Sequence, residues 1–346
     1  MTDTASVIPA VDLADLRSAA PHGRRACAET VHRGLRDIGF VFVRTPEVAE
    51  RLRADYRTFA EVLDRPEAEL ERYRRPDIHH LRGYTPLGAE TAAACRRSGR
   101  GGAPQPDHRS CWLIGPDGFT DPTLRSRFPA FHADNVWPED APGFRDRSLA
   151  LHARLDAIGR EVLRALEPGL GYEEGFFDEV TRDAGSSLRP LRYPPVPAER
   201  LGRVVWGCRH TDGNLVSVLP PSTSTGLKVK VRGGGWIDAV APPGHSIVQV
   251  GDMLQYMTGG HLRSAAHRID APDRPTTEAR YSAPLFVYPR ADVDLRPHER
   301  WGANPDRFPS RTAADYFLER LRRIGLDRTR AAGPAVGLSR SGGSAG

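Results

Sequence analysis

Leu227-Lys228-Val229-Lys230-Val231-Arg232-Gly233-Gly234-Gly235-Trp236 places apolar side chains two residues apart and then breaks on three glycines. Successive side chains of a strand point to opposite faces, so this alternation describes a strand with one buried face. The glycines mark a turn, and Trp236 to Val240 reads as the returning strand. The pattern repeats outward from this hairpin. Leu215 to Leu219 is a strand candidate, Ile247 to Val250 is another, followed by a Gly251-Asp252 turn, and Arg280 to Tyr288 is the last. Many short strands separated by Gly and Pro turns predict a sandwich or barrel.

Chemistry-bearing residues sit among these strands. In extended chain, residues i and i+2 share a face, so His210 and Asp212 can reach one metal ion while Thr211 faces away. His267 lies far along the chain and must arrive from another strand. Two imidazoles and one carboxylate make a facial triad suited to non-haem Fe(II), with positions left open for other ligands. A His-x-Asp triplet is common by chance; its weight comes from the strands around it. Arg280-Tyr281-Ser282 follows. The planar guanidinium of Arg280 suits a carboxylate, and Ser282, two residues on, can add a hydrogen bond from the same strand face. The pair predicts a seat for a dicarboxylate beside the metal, with 2-oxoglutarate as co-substrate and O2 as the species activated.

Other histidines compete for the metal. His261 precedes His267 by six residues but falls in a Gly-rich turn. His245 follows Pro242-Pro243-Gly244 and reads as an exposed turn residue. His79 and His80 are adjacent and on regular structure would not share a face, which argues against a second metal site.

The chain resembles the isopenicillin N synthase-like branch of the Fe(II)/2-oxoglutarate dioxygenases, in its bacterial form. Ile8-Pro9-Ala10-Val11-Asp12-Leu13 is similar to the family's opening motif, and Gly39-Phe40-Val41-Phe42-Val43 to its first core strand. Arg82-Gly83-Tyr84 and Asn135-Val136-Trp137-Pro138 resemble bacterial members. His210, Asp212 and His267 match the iron ligands, and Arg280 and Ser282 match the Arg-x-Ser motif that holds the distal carboxylate. Arg192-Tyr193-Pro194-Pro195 resembles the segment whose tyrosine touches 2-oxoglutarate, which implies that role for Tyr193; its other reading is a core aromatic. Gly251 to Gly260 is similar to the bacterial ethylene-forming enzyme. Tyr84 and Trp112 lie either along the substrate pocket or in the core.

The resemblance implies a mainly β fold with flanking helices around a double-stranded β-helix (jelly-roll) core. It implies an oxidoreductase that uses Fe(II), 2-oxoglutarate and O2 on an unactivated C–H bond of a small molecule. Hydroxylation is the expected outcome, with desaturation or cyclisation as variants, in the specialised, antibiotic-type metabolism that bacterial members often serve. Two departures stand out. Leu191 occupies the place where plant members often carry asparagine, so one 2-oxoglutarate contact is lost or replaced. The interval from His267 to Arg280 is longer than in many relatives, and Pro272-Asp273-Arg274-Pro275 predicts a longer hairpin loop. Isopenicillin N synthase keeps these motifs without 2-oxoglutarate, so an oxidase of that kind is the alternative; a non-catalytic jelly-roll that binds a small molecule is another.

The 346 residues suffice for one large domain over 1–330, with a helical part to about 185, a catalytic core over about 186–290 and a last helix over about 312–325. The tail 331–346 is rich in Gly, Ser and Ala and is expected to be disordered. Thr45-Pro46 marks a helix start, followed by a stripe of Val48, Leu52, Tyr56 and Phe59. Leu151, Leu155, Ile158, Val162 and Leu166 form a second stripe, with Pro168-Gly169 as its stop. Thr312 is the expected cap of the last helix.

Net charge is +5 with a pI near 9.2, and Lys228 and Lys230 are the only lysines. Arg96-Arg97-Ser98-Gly99-Arg100 is a short basic loop, but no basic stripe interleaved with aromatics predicts nucleic-acid binding. Cys27, Cys95, Cys111 and Cys208 show no close pairing and read as free thiols of a reducing cytoplasm. No stretch approaches the ~18 apolar residues of a membrane span, and the N-terminus, which carries Asp3, is read as lacking the apolar core of a signal peptide. The oligomeric state and the substrate are not readable.

Overall fold

The alternating run forms the strand Leu227–Lys230, antiparallel to Trp236–Asp238 with Lys230 opposite Trp236. On its other edge lies His267–Ile269, and beyond that Gly207–His210, which completes a four-stranded sheet. A six-stranded sheet runs in the order Ala10–Asp12, Phe40–Arg44, His245–Val250, Val216–Leu219, Leu285–Val287, Ser187–Leu188. A third sheet joins Arg280–Ser282, Leu191–Tyr193, Ser110–Leu113 and Gly83–Thr85. This is the expected jelly-roll core with helices outside it. The computed structural model describes residues 8–18, 20–90, 106–302, 304–324 and 326. Cys95, the basic loop 96–100 and the tail 331–346 lie outside the described residues.

The part up to residue 185 is not purely helical. It supplies the strands Ala10–Asp12, Phe40–Arg44, Gly83–Thr85 and Ser110–Leu113, and so closes two of the sheets. Its helix Pro142–Leu170 covers the outer face of the six-stranded sheet. Leu155, Ile158 and Val162 meet a face built from Val216, Val218, Leu285 and Val287, all buried. Each such side chain contributes about 1.5–3 kcal/mol relative to exposure. Gly159 permits the close approach, because a Cβ there would lie 2.6 Å from Val287 Cγ2. The alternation then turns Ser217 and Gln249 to the opposite face, toward the interior.

Several local expectations need correction. Helix Pro142–Leu170 runs through Pro168 and ends at Gly171, whose φ of 85° makes the left-handed cap. Proline in the last turn removes only one intrahelical bond, so the stop falls at the glycine. Gly251-Asp252 opens a short helix, Asp252–Met257, and is not a simple turn. Arg280 to Tyr288 is not one strand: Arg280–Ser282 and Leu285–Val287 belong to different sheets, broken at Ala283-Pro284. The loop after His267 is likewise no hairpin, since the strands it joins lie in different sheets. Thr45 precedes its helix, but its hydroxyl pairs with Ser246 Oγ at 2.8 Å and caps no amide. Thr312 does cap Ala313–Arg323, accepting from Asp315 N at 3.1 Å. Cys27 and Cys111 are free thiols, whereas Cys208 is disulfide-bonded, contrary to the expectation of four free cysteines.

Candidate active site

His210 ends one strand and His267 begins its neighbour, and the two are directly opposite in the antiparallel register. Their rings lie 4.2 Å apart, centroid to centroid. Asp212 follows in the turn after His210, with Oδ1 3.8 Å from His210 Nε2 and 3.7 Å from His267 Nε2. One donor atom from each residue falls within 4.8 Å of the others, the one such group of three among the described residues. His210 Nδ1 donates to the Cys208 carbonyl at 2.6 Å, and His267 Nδ1 to the Ala265 carbonyl at 3.3 Å. Tying down Nδ1 in this way leaves each Nε2 lone pair pointing at the shared space.

Electrostatics hold His210 and Asp212 in their ligating forms. Burial, then the neighbouring His267, pushes the His210 imidazole down to about 3, so it is neutral near pH 7. Burial alone would raise the Asp212 carboxyl, but His267, His210 and the Ser217 hydroxyl together hold it below its ordinary value. Ser217 Oγ donates to Asp212 Oδ2 at 2.6 Å, and Gln249 Nε2 donates to the same oxygen. Oδ2 is thereby occupied and Oδ1 is left for a metal. Sequence reasoning missed Ser217 and Gln249. Their only signal was a polar residue inside each of two apolar strands, at Val216–Leu219 and His245–Val250.

Arg280 lies opposite Tyr193 in the third sheet, and Ser282 opposite Leu191. The guanidinium of Arg280 is buried. It stacks over the Tyr193 ring at 4.7 Å, donates through Nε to the Ser224 carbonyl at 3.1 Å and through Nη2 to Ser222 Oγ at 2.9 Å. Its remaining nitrogen, Nη1, is buried with no hydrogen-bond partner. Buried guanidinium N–H groups are costly to leave unmade, so this one fits an incoming carboxylate. Arg280, Ser282, Tyr193 and all three triad residues line one cavity of about 510 Å³. Leu191 adds an apolar wall where the plant asparagine would stand.

The same cavity carries a charged cluster with no signal in the sequence. Glu90 binds Arg189 through Oε1 and Arg109 through Oε2, the latter at 3.1 Å, and Arg109 also reaches Asp107 at 2.8 Å. Burial would raise the Glu90 carboxyl, yet Arg189 and Arg109 hold it down at about 2. Apolar walls come from Leu219, Ile247, Ile269 and Phe286, and from Phe317 and Leu321 of the C-terminal helix. His79 and His80 line the cavity too, on a left-handed stretch of backbone that regular-structure reasoning does not cover. Tyr84 and Trp112 do not line it; they pack in the core with Tyr73 and Phe144. His261 lies apart, with Nε2 2.8 Å from His32 Nε2 and its ring stacked on Trp301.

The 2OG-Fe(II) oxygenase superfamily matches residues 184–289, and the N-terminal region of non-haem dioxygenases of morphine synthesis matches residues 8–140. A 2-oxoglutarate-dependent dioxygenase, citB, of Monascus ruber is 30% identical over 250 residues, 69% of this chain and 72% of the relative. A 2-oxoglutarate-Fe(II) type oxidoreductase of Aspergillus fumigatus is 29% identical over 63% of this chain, a match that spans 65% of the relative's length. A solved 2OG-Fe(II) oxygenase family protein of Caulobacter crescentus is 30% identical, with a TM-score of 0.76 over 91% of this chain and 98% of its own. The chain therefore belongs to the 2OG-Fe(II) oxygenase superfamily. It is an oxidoreductase of the class that uses Fe(II), 2-oxoglutarate and O2.

Proposed function

We propose that His210, Asp212 and His267 hold the Fe(II), that Arg280, Ser282 and Tyr193 seat the distal carboxylate of 2-oxoglutarate, and that the enzyme hydroxylates an unactivated C–H bond of a small molecule. The observation that carries this is the unpartnered, buried Nη1 of Arg280 on the cavity that the three metal-ligating side chains also line. When bound, iron and keto acid supply the O2-activating chemistry, with the keto acid consumed to succinate and CO2. The chain's own residues orient and exclude. The Nδ1–carbonyl bonds aim both imidazoles, and Ser217 and Gln249 fix the carboxylate. Arg280 docks the keto acid by a charge-assisted pair, while the apolar walls keep water from the reacting carbon. The cavity suits a small molecule with an apolar body and at least one polar group to meet the Glu90–Arg189–Arg109 cluster.

The reading extends to the bacterial isopenicillin N synthase-like branch, supported by Arg192-Tyr193-Pro194-Pro195 and by likeness to the Caulobacter crescentus protein. It takes 1–330 as one domain serving specialised metabolism, with no nucleic-acid or membrane partner. No helix among the described residues is long and apolar enough to cross a membrane. A reducing, cytoplasmic setting accords with the free thiols Cys27 and Cys111; the bonded Cys208 is out of keeping with it.

Anaerobic Fe(II) protein mixed with 2-oxoglutarate tests the reading. Expected is a weak visible charge-transfer band and, on admitting O2, succinate. Full-rate O2 consumption without 2-oxoglutarate and without succinate would assign the enzyme to the oxidase alternative.

A further inference from the structure

The turn that carries two of the three metal-ligating residues is not held by its own strand. Gly207–His210 ends at the first histidine, and Thr211, Asp212 and Gly213 continue in irregular chain. The Thr211 carbonyl points away from the sheet ladder and needs a donor. Arg320, in the last turn of the helix Ala313–Arg323, supplies it through Nη2. Its other terminal nitrogen, Nη1, pairs with Asp252 Oδ2 at 2.9 Å. The aliphatic stem lies against Gly213 so closely that a Cβ there would sit 2.5 Å from Arg320 Cδ.

Asp252 is the other half of this clamp. It lies in the Gly251–Gly260 stretch and opens the helix Asp252–Met257. Its Oδ2 also accepts from Thr211 Oγ1 at 2.9 Å and from Tyr316 of the C-terminal helix at 2.9 Å. Its Oδ1 accepts from Ser264 Oγ at 2.5 Å, three residues before His267. Its backbone N–H donates to the Asp212 carbonyl at 2.7 Å. One carboxylate thus ties the His210–Asp212 turn, the approach to His267 and the C-terminal helix to one another.

We infer that Arg320, acting with Asp252, is a positioning residue for the metal: the C-terminal helix clamps the His210–Asp212 turn and sets the spacing of the three ligating side chains. The inference rests on the metal reading above. Metal sites demand ligand placement to about half an ångström, and the groups that orient ligands commonly account for about ten- to hundredfold in metal affinity. Phe317 and Leu321, on the same helix, wall the cavity. The segment that shapes the cavity therefore also braces the metal turn.

Anaerobic Fe(II) titration by equilibrium dialysis tests it, beside visible absorption of the Co(II)-substituted forms. The proteins compared are wild type, Arg320→Gln, Arg320→Lys, Thr211→Val and Tyr316→Phe. Arg320→Gln is expected to bind Fe(II) about ten- to hundredfold more weakly and to shift the Co(II) bands, with 2-oxoglutarate affinity at saturating metal within about twofold of wild type. Arg320→Lys should regain part of the loss, since it keeps the charge but cannot reach both acceptors. Thr211→Val and Tyr316→Phe each remove one bond to Asp252 without burying a charge, and should weaken Fe(II) about threefold or more. Wild-type Fe(II) affinity and Co(II) bands in Arg320→Gln overturn the inference. If that variant does not fold, unchanged Fe(II) affinity in both Thr211→Val and Tyr316→Phe overturns it. A wild-type protein that binds no Fe(II) would instead sink the metal reading itself.

Discussion

Ser217 and Gln249 stand directly opposite each other on adjacent antiparallel strands and donate to the same oxygen, Asp212 Oδ2. The strands that carry them turn Val216, Val218, Val248 and Val250 to the core beneath the helix Pro142–Leu170, and show Ser217 and Gln249 to the interior beside Leu219 and Ile247. The carboxylate is thus held by the larger sheet while its free oxygen serves the smaller one.

Ser217→Ala or Gln249→Ala should each weaken Fe(II) binding by about tenfold, because Asp212 then rotates and its second oxygen competes for the metal. Combining the two should cost less than the product of the single losses, as both act on one oxygen. Fe(II) titration of the three variants gives the comparison; wild-type affinity in the double variant would show that Asp212 needs no such support.

His210→Ala, Asp212→Ala and His267→Ala should each abolish iron-dependent turnover, since each removes one of three ligands. His261→Ala should leave iron binding intact, as its ring stacks on Trp301 and pairs with His32. Iron content after anaerobic loading separates the cases, and loss of iron in His261→Ala would reverse the assignment.

Arg280→Ala breaks a charge-assisted pair in a largely dry seat, a loss on the order of 2–5 kcal/mol. Affinity for 2-oxoglutarate should fall by roughly tenfold to a thousandfold or more, with iron binding spared. Arg280→Lys should recover only part, because an ammonium lacks the planar fork. Titration of the charge-transfer band measures each affinity, and an unchanged value in Arg280→Ala would move the carboxylate seat elsewhere.

His32 and His261 share a short Nε2–Nε2 contact that only one N–H can occupy, so at least one of the two rings must be neutral. Burial, then His32, pushes His261 down to about 4 from an ordinary 6.5. A depressed folded-state value means that the unfolded chain binds the proton more readily. The stability from this pair is therefore full above about pH 6.5 and drains away as pH falls toward about 4. Thermal melts of metal-free protein should show Tm falling more between pH 7 and 5 in wild type than in His261→Gln. Parallel Tm profiles would count against the pair.

Gly159→Ala should destabilise the fold by about 1–3 kcal/mol, since the added methyl meets Val287 and Val218 and the helix must lift off the sheet. Chemical denaturation reads the difference. A variant as stable as wild type would mean that the helix is not seated as closely as the structure places it.

What the sequence by itself determined follows from short-range geometry. Period-2 alternation placed the strand that begins at Leu227, and short runs bounded by turns placed strands at 215–219, 236–240 and 247–250, where the structure has 216–219, 236–238 and 245–250. The i, i+2 rule put His210 with Asp212 and Arg280 with Ser282. Helical stripes marked the faces that cover the sheet. The break at Ala283-Pro284 was harder to see, because apolar residues run on through it and only the sheet partners differ. The donors to Asp212 Oδ2, the Glu90–Arg109–Arg189 cluster and the Arg320–Asp252 clamp each join residues from remote segments. Their meeting depends on strand register and on how a helix lies over a turn, and a slip of one residue would send Ser217 or Gln249 to the opposite face. Local pattern carries no record of such pairings. Only the packed chain decides which polar side chain inside an apolar strand finds the oxygen that needs it.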